Sequence, residues 1–197
     1  LPHDWQIYHT KDLYKNSVGF YKKSFQIENK DISENAEVAA RYVALRFEAV
    51  YMNSAVWVNG KKAGEWKYGY STFEFDISSL VHEGENEILV IAVYQNCNTR
   101  WYSGAGIIRD VYLINSPAVH LVSDGVYFSA QPVDAEKLNG EWKIKISTEV
   151  CRAEFVSASN TENDTSIKHS ITGPDGKVFA EFSGDGEFSV SAPHLWD

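Results

Sequence analysis

Positive charge is scarce in this chain. Lys and Arg number 18 against 27 Asp and Glu, giving a formal net charge of -9 over 197 residues and a pI of about 5.1. Basic residues form no cluster beyond pairs such as Lys22-Lys23 and Lys61-Lys62. A surface that grips a phosphate backbone needs a basic face, so nucleic acid is excluded as a partner. Cysteine is nearly absent as well. The two present, Cys97 and Cys151, are far apart in sequence and match no metal-ligand spacing, so one disulfide or two buried thiols are the alternatives. No apolar run approaches the roughly 18 residues of a membrane helix, and no signal peptide is visible, so no membrane partner is expected. There is no Gly-x-Ser-x-Gly elbow and no phosphate loop. The six histidines, His3, His9, His82, His120, His169 and His194, share no ligand spacing on one element. They read as surface or packing residues, with no metal and no cofactor expected. The first residue is Leu1, not Met, which reads as a chain processed or cut from something longer.

Aromatics, by contrast, are abundant at 14% of the chain, with 6 Trp and 11 Tyr. Large rings suit the space between two packed sheets. The apolar pattern has period two in short segments, and no stretch supports a helix of three turns. Strands are expected over 18–28, 41–50, 52–59, 73–77, 87–95 and 111–114, with a charged loop or at best a short helix over 29–40. Val43, Leu45 and Phe47 are expected on one face. Asn59-Gly60 carries the strongest hairpin signal, a type I′ turn. Ile88-Leu-Val-Ile-Ala-Val-Tyr94 is continuous enough to read as a strand buried on both faces. Ser116-Pro117 marks a boundary, after which five more strands are expected over 120–130, 141–150, 165–172, 177–182 and 187–191. The fold class is therefore all-β: a jelly-roll (galactose-binding-like) β-sandwich over 1–117, then an incomplete immunoglobulin-like β-sandwich over 118–197. Five strands are two fewer than a seven-stranded sandwich needs, so the second domain reads as cut short at its C-terminus. Its strand over 166–172 would be left with an edge able to pair with another copy, a route to a homo-oligomer.

The stretch Asn98-Thr-Arg-Trp-Tyr-Ser-Gly-Ala-Gly-Ile-Ile-Arg-Asp-Val111 holds the most chemistry. Asn98, Arg100, Trp101 and Tyr102 offer an amide, a guanidinium and two aromatic faces ahead of a Gly-Ala-Gly turn. Dense hydroxyls and C–H faces make sugars a natural ligand for such a set. Equally, Trp101 could cap a core and Arg100 pair with a carboxylate. Arg109 and Asp110 are expected to form an ion pair. No pair of glutamates qualifies as catalytic.

Taken in order, the motifs resemble the N-terminal part of glycoside hydrolase family 2. They are Leu1-Pro-His-Asp-Trp5, Phe20-Tyr-Lys-Lys-Ser-Phe25, the run from Leu45 to Gly60, Gly69-Tyr-Ser-Thr-Phe-Glu-Phe-Asp-Ile77, Gly84-Glu-Asn86, the run from Arg100 to Leu113, and Pro193-His-Leu-Trp196. The resemblance spans essentially the whole chain and is closest to bacterial β-galactosidase-like members. It implies a jelly-roll sugar-binding domain, an immunoglobulin-like domain and then a catalytic barrel. That barrel would hydrolyse terminal β-linked sugars with retention, using two glutamates roughly 5–5.5 Å apart, neither of them in this chain. It also implies that the loop of Asn98, Arg100, Trp101 and Tyr102 reaches the sugar bound in that barrel. Some relatives carry an aspartate in this loop; Asn98-Thr-Arg100 stands there here. A bacterial enzyme, periplasmic or secreted rather than cytoplasmic, is implied. Its partners would be carbohydrate and its own barrel domain. Two other classes remain: a free-standing carbohydrate-binding module using Trp66, Tyr68, Tyr70 and the Asn98 loop, or a scaffold that only docks to other domains. An incomplete second sandwich speaks against the module, and a polar-aromatic loop against the pure scaffold.

Overall fold

A computed structural model describes residues 1–8, 10–28, 41–96, 103–117, 119–152, 166–173, 176–191 and 193. The chain divides into two compact units, Leu1–Ala118 and Val119–Asp197.

Unit 1 opens with two short 3-10 turns, Trp5–Tyr8 and Thr10–Asp12, and is otherwise built from strands. One sheet has the order β1-β7-β4-β5, from β1 (Ser17–Ile27), β7 (Gly84–Tyr94), β4 (Ser54–Val58) and β5 (Lys61–Trp66). A facing sheet has the order β6-β2-β9, from β6 (Phe73–Asp76), β2 (Arg41–Phe47) and β9 (Val111–Pro117). A short ladder joins β3 (Val50–Tyr51) to β8 (Gly106–Ile107). The pairings between these strands are antiparallel. Side chains that alternate inward from both sheets form the core, among them Val43, Leu45, Phe47, Val56, Val58, Phe73 and Val90. Phe47 and Phe73 stack with ring centroids 5.0 Å apart.

The expected Asn-Gly turn is present between β4 and β5, with φ of 50° at Asn59 and 77° at Gly60. Asn59 also ties the sheet together. Its Nδ2 donates to Leu80 O at 2.9 Å and to Asn86 Oδ1 at 2.8 Å, and its Oδ1 accepts from Glu87 N. Asn86 is fully buried, and its own Nδ2 donates to the His82 and Gly84 carbonyls. A buried amide is tolerated here because each of its polar atoms has a partner.

Strand β7 departs from expectation. Val90, Ala92 and Tyr94 are buried, whereas Leu89, Ile91 and Val93 on its other face are only half-buried. Among the described residues nothing packs a second layer onto that outer face, so a continuous apolar run does not here mean burial on both sides. The charged segment expected over 29–40 lies outside the described residues.

Unit 2 contains β10 (Val119–Pro132), β11 (Glu141–Arg152) and β14 (Gly186–Ser191) in one sheet, and β12 (Lys168–Thr172) with β13 (Val178–Ser183) in another. Its buried apolar residues are Ile144 and Ile146, joined by a cluster in which Phe182 lies 6.3 Å from Phe188 and 5.0 Å from the His169 ring. Gly186 makes room for this cluster, since a Cβ there would come within 2.3 Å of the Phe182 ring. Cys151 is a free thiol; Cys97 lies outside the described residues. No described helix is long and apolar enough to cross a membrane.

Candidate functional site

The turn after the polar-aromatic loop is built by glycines with positive φ, 76° at Gly104 and 122° at Gly106. At Gly104 a Cβ would come to 3.0 Å from Asp4 Oδ2. At Gly106 it would meet the Tyr21 hydroxyl at 2.3 Å and the His3 carbonyl at 2.6 Å. Both the backbone angle and the close packing therefore demand glycine. What packs there is the start of the chain. His3 N donates to Ile107 O at 2.7 Å, and Trp5 N donates to Ala105 O at 3.1 Å. Asp4 Oδ1 accepts from Gln6 N and from Ala105 N, both at 3.0 Å. Trp5 leans on the core and its Nε1 donates to Ser17 Oγ at 3.0 Å. Trp5 thus anchors the N-terminal segment, and Asp4 adds a second lock across some hundred residues of sequence.

Tyr21 lies under this joint. Its hydroxyl accepts from Ile107 N at 3.4 Å and stands 2.9 Å from His3 Nδ1. Burial raises the Tyr21 pKa above the usual 10.0, the Ile107 N–H pulls it back, and the negative Asp4 raises it further. The hydroxyl therefore keeps its proton at neutral pH, within hydrogen-bond distance of His3 Nδ1.

A cavity of about 410 Å³ opens at this joint, lined in part by His3, Asp4, Tyr8, Tyr70 and Ser103. The His3 and Tyr8 rings stack at 5.9 Å. Polar atoms from two distant segments converge there with two aromatic walls, the composition expected of a small-ligand site. Sequence reasoning took His3 for a surface or packing residue and did not single out Asp4 or Tyr8, whereas Ser103 belongs to the polar-aromatic run read ahead of the hinge. The one local signal was an aspartate two residues ahead of Gln6 N, the spacing of an Asx turn. A second cavity, about 550 Å³, lies between the sheets and is lined by Phe20, Phe25, Leu45, Phe47, Val90 and Leu113 among others. It is larger, but its walls are mostly apolar, with exposed Leu1, Phe20 and Leu113 beside Lys22 and Lys23 at its rim.

The four residues expected to contact ligand, Asn98, Arg100, Trp101 and Tyr102, lie outside the described residues. They immediately precede Ser103, which lines the polar cavity. Trp66, Tyr68 and Tyr70 are described, and Tyr70 is a wall of that cavity. Arg109 and Asp110 do not form the expected ion pair among the described residues. Both are exposed, and the Asp110 carboxylate accepts from the Tyr112 hydroxyl at 3.5 Å. Neither lies in a strand, since β8 ends at Ile107 and β9 begins at Val111. No group of three His, Cys, Asp or Glu among the described residues could hold a metal.

An antiparallel two-sheet sandwich with a polar-aromatic cavity at the end carrying its glycine turn defines the class as an all-β sandwich domain. The chain belongs to glycoside hydrolase family 2, whose sugar binding domain matches residues 6–117. It is 28% identical to a β-galactosidase of Bacteroides ovatus, an alignment covering all of this chain and 24% of that protein. It is 26% identical to a putative β-glucuronidase of Formosa agariphila, again over the full chain and 19% of the relative. A crystal structure of a β-glycosidase from Bacteroides vulgatus superposes with a TM-score of 0.73 at 26% identity, covering all of this chain and 25% of that one. The chain thus spans about a quarter or less of these relatives. It matches their N-terminal sandwich region, and the catalytic domain is not part of it.

Proposed function

We propose that this chain forms the sugar-facing rim of a retaining β-glycosidase whose catalytic barrel lies elsewhere in the same polypeptide. The carrying observation is the cavity in which His3, Asp4, Tyr8, Tyr70 and Ser103 converge at the glycine turn. The whole enzyme would cleave a terminal β-linked sugar, galactose or glucuronic acid by the names of the relatives. The two glutamates of the barrel would do the bond-breaking chemistry. This chain's residues would take no proton and form no covalent bond. They would hold the non-reducing sugar in place so that binding energy is used for orientation. Asn98, Arg100, Trp101 and Tyr102 would continue the rim from Ser103; motif position supports this assignment. Further proposals are that unit 1 docks to the barrel, that unit 2 is an immunoglobulin-like domain completed by further strands, and that the bacterial enzyme is periplasmic or secreted.

The test is hydrolysis of 4-nitrophenyl β-galactoside and β-glucuronide by the whole polypeptide, with the anomer released followed by proton NMR. Release of the β-anomer first, from one of the two, is expected. Initial release of the α-anomer, or turnover of neither, would overturn the proposal.

A further inference from the structure

Outward from the cavity the aromatic wall continues. Tyr51 is buried at 3% exposure, and the Tyr70 ring rests on it at 5.1 Å. Tyr68 meets Tyr70 edge-on, with centroids 5.9 Å apart and planes at 69°, and is itself 62% exposed. Gly69 between them is buried, and a Cβ there would fall 2.1 Å from Tyr51 Cδ2. Only glycine lets this turn lie directly on the Tyr51 ring, so the two outer rings are held by backbone packing. The flanks are fixed as well. Lys67 O accepts from Asn53 N at 3.2 Å. Trp66 Nε1 donates to Ser71 Oγ at 3.1 Å, and its ring stacks on Phe73 at 5.5 Å.

Tyr68 stands 62% exposed and Tyr70 39% exposed, with Ile7 and Ile108 beside Tyr70 in the cavity wall. Lys67, Ser71 and Thr72 are their neighbours in sequence, so each ring stands among polar groups.

We propose that Tyr68 and Tyr70 form a stacking platform for the second sugar ring of the substrate, making a β-linked oligosaccharide the substrate class. Tyr70 is shared: it walls the cavity on one side and backs Tyr68 on the other. The first sugar occupies the cavity and the next lies with its C–H face on the exposed Tyr68 ring. The inference rests on the cavity being a sugar site.

The experiment uses the whole enzyme with Tyr68→Ala and Tyr68→Phe. Substrates are a methyl β-glycoside and the β-linked trisaccharide of whichever sugar the enzyme hydrolyses. For Tyr68→Ala the ratio of kcat/KM on the trisaccharide to that on the methyl glycoside falls about 5- to 20-fold, mostly through KM, and Tyr68→Phe restores it. An unchanged ratio, or equal loss on both substrates, overturns the platform while leaving the cavity assignment standing. A change in oligomeric size on light scattering, with the ratio unchanged, shows a protein interface and also overturns it. If neither sugar is turned over, the cavity assignment fails first and the platform falls with it.

Discussion

The two units use strands of similar length but fill their interiors to very different degrees. In unit 1, two facing sheets of four and three strands enclose Val43, Leu45, Phe47, Val56 and Val58, each at 1% exposure or less. In unit 2, sheets of three and two strands leave, among the described residues, only Ile144 at 8% and Ile146 at 6% in the buried apolar class. The contrast is sharpest at one pair. Phe128 lies directly opposite Ile146 across the β10–β11 ladder and so shares its face, yet it is 62% exposed. The ring cluster of Phe182 and Phe188 sits beside Gly186 and Ile146, and the described residues place nothing equivalent over β10. Alternation supplies an apolar face, but a second sheet wide enough to cover it is what makes a core.

That difference can be broken most forcefully by truncating matched core residues. Phe47→Ala is expected to cost unit 1 about 3–5 kcal/mol, because the surrounding strands cannot collapse into the space. Ile146→Ala in the looser unit 2 is expected to cost about 2 kcal/mol, at the lower end for such truncations. Separate transitions in calorimetry of the purified chain would read both. Equal losses would erase the distinction between a closed and an open core.

Asn86→Ala probes the polar side of the same core. It leaves one of the two Asn59 Nδ2 hydrogens and the His82 N–H without their Asn86 acceptor and removes two bonds to carbonyls, so about 2–3 kcal/mol of unit 1 stability should disappear by denaturant titration. A change below about 0.5 kcal/mol would mean water replaces the network.

A smaller effect is expected with pH. Since burial raises the Tyr21 pKa, the folded state holds that proton more tightly than the unfolded chain. Its contribution is present below about pH 10 and lost as pH rises through the folded value. Tyr21→Phe should therefore cost about 1 kcal/mol at neutral pH through lost hydrogen bonds, and should flatten the decline of unit 1 stability above about pH 10. An unchanged alkaline slope would contradict the assignment.

What sequence made legible follows distance along the chain. The alternation of Val43, Leu45 and Phe47 and the turn at Asn59-Gly60 are local, and both stand in the structure as expected. The outer face of β7 misled because composition cannot say whether a second layer exists. The site was half legible. The turn that includes Gly104 and Gly106 announced itself, but the partner that completes the cavity comes from the first residues of the chain. The Asp4–Ala105 bond joins positions 101 apart, and nothing in either segment specifies the other. The Arg109–Asp110 pairing was not legible because the two residues sit in the bend between β8 and β9, where no alternation fixes the side-chain directions.

The central claim is that the glycine-turn end of unit 1 forms the sugar rim and that unit 2 does not. The direct measurement is kcat/KM of the whole enzyme on its 4-nitrophenyl glycoside for Asn98→Ala, Arg100→Ala and a control, Lys143→Ala. Lys143 is an exposed unit 2 residue paired with Glu187 at 2.8 Å. The rim variants should lose about tenfold or more, corresponding to about 1.4 kcal/mol of lost transition-state binding each, with the control within about twofold. Full activity in both rim variants, or equal loss in the control, would contradict the claim.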